Sequence, residues 1–392
     1  MNEILTIVIS AYNRPKSLGR LLTSLNQAAY SNQKVNLIIS IDFSGSNEIF
    51  EIADSFEWIF GDKKIINHQT NLGLKQHILF CGDLTYEFGN IVLLEDDIYV
   101  SPFYLSYCYE SISYFGNNSK IAGISLYNHI YNETAKLPFE AAKLDGYDNY
   151  FMQLPSSWGQ IWTKNQWKEF KEWLKEYPDE FNFEVLPENI KNWPKSSWKK
   201  LYSLYLIETN KYFVYPFYSL STNFGDLGIN FWKKNTQYQS NLLLFDKKYS
   251  FVDIKSSLSV YDAYCENIKI GKLLNDKIKN ICVDFYGSKN SNYLNFDFIL
   301  TLKDLNLELV ESYGLDLKPW EANIHQKIEG PSIKIYKNSK PIRNTKKYNL
   351  DYRRELMNYY YSGLNLQKII TYLGSNDIYV DLMKKAFKKI KN

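Results

Sequence analysis

The chain is poor in the side chains that bind metals through nitrogen and sulfur. Only four histidines and four cysteines occur in 392 residues. His68, His77, His129 and His325 are scattered, with no HExxH pair and no His-Cys cluster, which excludes the usual zinc-enzyme signatures. Cys81, Cys108, Cys265 and Cys282 show no CxxC spacing and lie in apolar or aromatic surroundings. They read as buried thiols of a reducing compartment, not as a disulfide frame. Neither GxGxxG nor GxxxxGK[ST] occurs, so no dinucleotide fingerprint and no P-loop accounts for phosphate binding. Long apolar runs are missing too, and none approaches the roughly 20 residues needed to span a bilayer. The opening "MNEILTIVIS" carries an acid where a secretion signal needs a base. The expected location is the cytoplasm, peripheral at the inner face of the cell membrane. A net charge of +3 lacks the basic excess of a dedicated nucleic-acid binder, so nucleic acid is not an expected partner. No repeat of solenoid period is present.

What remains is an ordinary globular composition, 45% hydrophobic and 23% charged, with many aromatics. Tyr, Asn, Lys and Ile are abundant together, as codon bias produces, so only local aromatic clusters carry information. The first hundred residues alternate between two periods. "LTIVIS" (5–10), "VNLIISID" (35–42), "KKIINHQ" (63–69) and "IVLLE" (91–95) read as strands. Between them lie helix-like stretches, the first opened by Pro15 with Leu18, Leu21, Leu22 and Leu25 on one face. Apolar strands alternating with amphipathic helices predict a mostly parallel α/β sheet covered on both faces. Further on, "IAGISLYNH" (121–129) reads as a strand, and "LPSSWGQIWTKNQWKEFKEWL" (154–174) as a turn into a helix with Trp167, Phe170 and Leu174 inward.

In such sheets ligands bind beyond the carboxyl ends of the strands. Tyr12, Asn13 and Arg14 follow the first strand, Asp42 ends the second, Asn71, Gly73 and Lys75 follow the third, and Glu95, Asp96 and Asp97 end the fourth. Three adjacent carboxylates repel one another unless something positive binds among them. Such oxygen ligands suit Mn²⁺ or Mg²⁺, which commonly binds through one or two carboxylates and substrate phosphates. An isolated EDD would be a solvated turn. Its combination with Arg14, a guanidinium suited to phosphate, points instead to a metal-diphosphate site.

"TIVISAYNRPKSLGRLLTSL", "IISID", "NLGLK" and "VLLEDDIYVSPFYL", joined by "SSWGQIW" and "LSTNFGDLGIN", resemble the GT-A (Rossmann-like) fold of nucleotide-sugar glycosyltransferases over residues 1–235. The likeness is to N-acetylglucosaminyltransferases of the type that begins complex N-glycan branching, and to bacterial capsule and lipopolysaccharide sugar transferases. The resemblance implies that Arg14 contacts the donor pyrophosphate and Asp42 the nucleobase edge. It places Glu95 and Asp96 toward the ribose and Asp97 on the metal. Lys75 falls near the nucleotide pocket, and the loop from Ser221 through Asn223 to Asn230 corresponds to one that closes over the donor. Tyr12, Asn13, Asn71 and Gly73 complete the expected donor set.

One departure stands out. The family carries its general base, an Asp, in a "W-D" segment, whereas here Trp198 is followed by Lys199 and Lys200. A lysine of ordinary pKa is protonated and accepts no proton. Asp226, Glu208 and Asp148 are the substitutes from which a base is expected. Trp158 and Trp162 are expected either to stack on acceptor sugars or to be core.

The expected activity is metal-dependent transfer of a hexosyl or N-acetylhexosaminyl group from a UDP-sugar to a glycan or lipid-linked acceptor of bacterial surface polysaccharide, with inversion. The rival is a catalytically silent nucleotide-sugar- or glycan-binding protein. A nucleotidyltransferase is disfavoured, because "SAYNRP" is not a Gly-rich phosphate loop. The expected domains are 1–238 (donor half 1–115, acceptor half 116–238), a small α+β domain at 239–338, and a basic helical tail at 339–392. In the small domain Tyr261, Glu266, Trp320 and Glu321 read as core or as partner contacts. The tail carries twelve Lys and Arg against four acids from Ser339 onward, with an amphipathic final segment suited to an anionic membrane surface.

Overall fold

Seven consecutive residues of β1 (Leu5–Ala11) are buried, as are six of the seven in β2 (Val35–Ile41), the pattern of strands covered on both faces rather than one. The computed structural model of the chain describes residues 4–176, 181–226, 236–289, 293, 295–339 and 348–361. It divides into two compact units, Met1–Lys279 and Asn280–Asn392.

In the first unit, α1 (Pro15–Asn26) starts with Pro at its first turn and buries Leu18, Leu21, Leu22 and Leu25. After β2 come α2 (Glu48–Ser55), β3 (Lys63–Asn67), α3 (Gly73–Asp83), the short α4 (Thr85–Phe88) and β4 (Ile91–Glu95). Next are β5 (Ile98–Val100), α5 (Tyr104–Phe115), β6 (Ile121–Ser125), a minimal hairpin of β7 (Tyr131–Asn132) and β8 (Leu137–Pro138), and β9 (Asn149–Met152). The unit continues through β10 (Gln160–Trp162), α6 (Lys164–Glu176), α7 (Glu188–Lys191), α8 (Trp198–Glu208), β11 (Tyr212–Pro216), β12 (Ser221–Asn223) and β13 (Val260–Tyr261).

Nine of these strands form one sheet in the order β13-β9-β11-β6-β10-β4-β1-β2-β3. Pairings are parallel except that β10 runs against both β4 and β6, and β9 against β11. β1, β2 and β4 therefore end on one edge, which β6 and β11 share. β12 leaves the sheet and pairs antiparallel with β5, setting Asn223 opposite Ile98. The apolar core lies between this sheet and the helices on it, from Leu18 and Leu22 of α1 to Tyr104 and Phe115 of α5.

Two expectations are corrected. The first unit extends to Lys279, not to 238, because Val260 and Tyr261 pair with Phe151 and Met152 of the main sheet. In α6 the buried aromatic positions are Trp167, Phe170 and Trp173. Trp173 takes the place assigned to Leu174, its indole nitrogen donating to Glu208.

The second unit holds a four-stranded sheet ordered β14 (Ile281–Asp284), β15 (Phe298–Thr301), β17 (Ile333–Lys337), β16 (Glu308–Tyr313), with α9 (Glu321–His325) and α10 (Tyr348–Tyr361). Asp284 is fully buried and answered by the Lys303 ammonium at 3.0 Å and by the Tyr293 hydroxyl. Trp320 stacks on Phe285 with ring centroids 4.5 Å apart. Trp320 and Glu321 in this unit, and Tyr261 and Glu266 in the first, are all buried core positions. The amphipathic basic segment 376–392 and the loop residues 227–230 lie outside the described residues.

Gly82 shows how tightly α3 is packed: a Cβ there would meet the Trp167 indole at 2.2 Å. Gly82→Ala gains about 1 kcal/mol of helix propensity, but forcing the Trp167 ring aside costs about 1–3 kcal/mol. The expected net result is a lower urea midpoint at unchanged denaturant slope, and a raised midpoint would contradict this packing.

Candidate functional site

Register brings the site together. Ser10 of β1 aligns with Ser40 of β2 and with Glu95 of β4, so Asp96 emerges one step beyond this rung, and Tyr12, Asp42 and Asp97 two steps beyond it. The Tyr12 amide donates to Asp96 Oδ2 at 3.3 Å. Arg14 lies across the acids: Nη1 donates to Asp97 Oδ2 at 2.7 Å, and Nη2 pairs with Asp96 Oδ1. Asp96 and Asp97 are 2% and 7% exposed, so this pairing is hardly screened by water. Burial, then the charge of Asp97, pushes the Glu95 carboxyl up to about 8. Burial likewise lifts Asp96 to about 6 although Arg14 opposes it. Burial would lower the Arg14 pKa, but Asp96, Asp97 and Glu95 together hold it above its ordinary value. The pocket thus carries more carboxylate than one guanidinium neutralises.

Asp42 is buried at the carboxyl end of β2 and accepts from the amides of Leu72 at 2.7 Å and Gly73 at 3.0 Å. An anion at the start of α3 is favoured by the helix dipole. Asn71 donates to the Phe43 carbonyl at 2.9 Å, and Gly73 adopts φ +73°, a backbone that a side chain would strain. Lys75 reaches the Lys195 carbonyl at 3.3 Å. From the same helix the buried His77 bridges Ser10 at 3.1 Å and Ser40 at 2.8 Å. Burial pushes its pKa down to about 4, leaving a neutral imidazole.

The segment after β12 comes to the same edge, where the Phe224 amide donates to the Asp97 carbonyl at 3.0 Å. Ser221 and Asn223 are buried there. The Ser221 hydroxyl donates to the Trp158 carbonyl at 2.5 Å, and Asn223 Oδ1 accepts from the Gly225 amide at 2.7 Å. Asp226 pairs with Arg20, whose guanidinium lies 3.5 Å from the Phe224 ring centroid, and accepts from Ser17 Oγ at 2.7 Å. Burial favours protonation of Asp226, but the Ser17 and Arg20 bonds outweigh it and lower its pKa, which makes it a weak proton acceptor.

Three sequence expectations fail on geometry. Glu208 ends α8 beside the amino-terminal ends of β6 and β11, the edge opposite the acids, and binds Trp173. Asp148 is on the correct edge, but four strand steps from β4, roughly 20 Å. It is tied there to the Ser250 amide and to Lys247. Trp162 is fully buried against Trp167, Trp198 and Tyr202, opposite Ile91 at the far end of β4, so it is core and cannot face a sugar.

Trp158 is different. It lines a small pocket, partly open to solvent, with Tyr127, His129, Glu133, Trp193 and Lys199. The Lys199 ammonium sits 5.3 Å from the Trp158 ring centroid and 5.2 Å from that of Trp193, and it acts on Glu95 as well as on His129. Trp158 in the cavity wall accepts from Ser221, whose strand runs on to the Phe224 amide on the Asp97 carbonyl, so β12 joins the cavity to the acid cluster. Burial, then Lys199, pushes His129 down to about 3, and its buried Nε2 has no hydrogen-bond partner among the described residues. Sequence reasoning passed over Arg20, His129, Glu133 and Trp193. Arg20 stands on the polar side of the leucine-patterned α1, where a charge reads as solvated, and Glu133 stands inside what reads as a glycosylation sequon.

Residues 6–151 match the model of the family described as Glycosyl transferase family 2. The matched segment lies on the large, mostly parallel sheet flanked by helices, a GT-A-like architecture, and a further sheet domain follows in the chain. No curated protein matches. Among solved structures, S. aureus TarS 1-349 is similar at 15% identity and TM-score 0.36, with 54% of this chain and 57% of that one covered. The same TarS fragment in complex with UDP-GlcNAc gives 13% and 0.34, with 54% and 55% covered. The mannosyltransferase PcManGT from Pyrobaculum calidifontis, in complex with GDP-Man and Mn²⁺, gives 10% and 0.29, with 44% and 47% covered. The chain spans little more than half the length of the TarS 1-349 structures.

Because Glu95 and Asp96 keep protons in the folded protein that the unfolded chain releases near the ordinary carboxyl values of 4.5 and 3.8, their contribution to stability falls as pH rises from there through the folded-state values. Asp96 completes its loss near pH 6 and Glu95 near pH 8. Under chelation, Glu95→Gln is expected to gain urea stability relative to the parent progressively from pH 5 to 8. A difference independent of pH would contradict the burial of this acid.

Proposed function

We propose that the chain transfers a hexosyl or N-acetylhexosaminyl group from a UDP-sugar, with a divalent cation, to a glycan or lipid-linked acceptor of bacterial surface polysaccharide. The observation that carries the reading is the position of Arg14 between two buried carboxylates on the ligand-binding edge of a family 2 domain. A guanidinium matches phosphate as well as carboxylate. Arg14 therefore has two charge-matched positions, one on the acids and one on an incoming diphosphate.

The acids fit a hard cation by donor chemistry, since they are oxygen ligands in excess of the positive charge present. Among the described residues no three His, Cys, Asp or Glu side chains form a closed cage, consistent with an ion held through one or two carboxylates and phosphate. Asp97 is the proposed ligand, Mn²⁺ or Mg²⁺ the proposed ion, and the chemistry supplied is neutralisation of charge on the departing diphosphate. Glu95, Asp96, Tyr12, Asn13 and the turn of Asn71, Gly73 and Lys75 are the proposed donor wall, with Ser221 and Asn223 opposite. Asp42 acts there by fixing that turn and is proposed to approach the nucleobase. Arg14 is proposed to stabilise the diphosphate as its bond to the sugar breaks.

No helix among the described residues is long and apolar enough to cross a membrane. The basic segment from Ser339 onward is the proposed contact with an anionic membrane carrying a lipid-linked acceptor. A second reading, sugar-nucleotide binding without turnover, is favoured by Lys199, a cation where the resembling family has its base.

Incubation with UDP-glucose, UDP-galactose, UDP-GlcNAc or UDP-GalNAc and Mn²⁺ separates the two readings by whether UDP is released. In calorimetry, Asp97→Ala is expected to abolish Mn²⁺-dependent UDP binding. Affinity equal to the parent's would remove the metal assignment.

A further inference from the structure

We infer that Glu133 is the proton acceptor of the transfer, in the cavity that Lys199 also lines. The inference rests on the transferase reading above. Of the three carboxylates expected to serve, Asp226 is committed to Arg20 and Ser17, Asp148 to Lys247 and the Ser250 amide, and Glu208 lies on the wrong edge. Glu133 is the one carboxylate among the residues lining the cavity beside the acid cluster. It makes no ion pair or hydrogen bond among the described residues and is half-buried.

Its backbone is nonetheless fixed. The preceding Asn132 is fully buried and accepts through Oδ1 from the amides of Thr134 and Ala135, each at 3.0 Å. Thr134 donates to Asn189 at 2.6 Å, which ties the turn to the opposite lip of the cavity. A side chain on an anchored turn, with no partner among the described residues, is held where it can meet a ligand.

The rest of the wall suits a sugar hydroxyl. Trp158 and Trp193 offer ring faces and Lys199 a cation beside them, while the neutral His129 presents an Nε2 unpaired among the described residues. In the step, the acceptor O–H bond breaks and its proton goes to a Glu133 Oε. The acceptor oxygen forms a bond to the anomeric carbon, and the carbon–oxygen bond to the diphosphate breaks with its electron pair leaving on the diphosphate. Lys199, charged and adjoining both Glu95 and the cavity, is a positioning residue at the boundary between donor and acceptor.

The test measures UDP release from the four UDP-sugars with Mn²⁺, water serving as acceptor, and then adds sodium azide, a nucleophile with no proton to lose. Support consists of release by the parent, a loss of about 10²-fold or more in Glu133→Gln and Glu133→Ala, UDP affinity within twofold of the parent's, and recovery of turnover in Glu133→Ala by azide with formation of the glycosyl azide. Release within threefold of the parent in both variants overturns the assignment and leaves the transferase reading standing. Loss without azide recovery also overturns it, because Glu133 then only shapes the cavity. If the parent releases UDP from none of the four donors while still binding UDP, the transferase reading falls and this assignment with it.

Discussion

The rest of the site depends on how two buried aspartates and a glutamate are kept at the end of one strand. Isolated ionised carboxylates in a protein interior are costly and respond by taking up protons or finding a cation. Both responses are present: Glu95 and Asp96 are lifted toward neutrality, and Arg14 is drawn onto Asp96 and Asp97. The pairing joins the ends of β1 and β4, which share a parallel register from Thr6 and Ile91 onward. Charge and topology therefore constrain the same point, and a slip of one residue between these strands would turn the acids to the other face.

The cavity beside Trp158 is organised by a reversal in the sheet. β10 runs antiparallel between β4 and β6, so the turn before it, with Trp158 and Gly159, arrives at the edge where the parallel strands end. Gly159 has φ +93°, and a Cβ there would lie 2.9 Å from Ser221 Oγ. Glycine thus lets the Trp158 carbonyl meet Ser221, and Ser221 belongs to the strand that carries Phe224 and Asp226 to Asp97. One close approach connects the aromatic wall with the acid cluster.

Much of this was legible in the sequence. Apolar runs and leucine spacing located β1, α1, β2 and β4, and the position of polar residues after each strand located the acid cluster, because strand ends and ligand edges coincide by topology. Individual side-chain allegiances were not legible. Trp158 and Trp162 stand four residues apart, yet the first lines a cavity and the second is core, a difference set by how far along β10 each falls. Asp226 looked unoccupied until α1 placed Arg20 and Ser17 against it. Glu133 had no signal, since its environment is assembled from segments distant in sequence. The extension of the first unit to Lys279 rests on a two-residue strand, β13, too short for any periodicity to reveal.

His77 has a consequence beyond local packing. One imidazole uses both nitrogens to rivet α3 across two neighbouring strands, so sliding that helix breaks two buried bonds at once. The turn at 71–73, which α3 carries, is accordingly held firmly against the sheet. A fixed wall discriminates by leaving its own polar groups stranded when the wrong molecule enters, and this penalty is steeper than any preference that a yielding pocket can express.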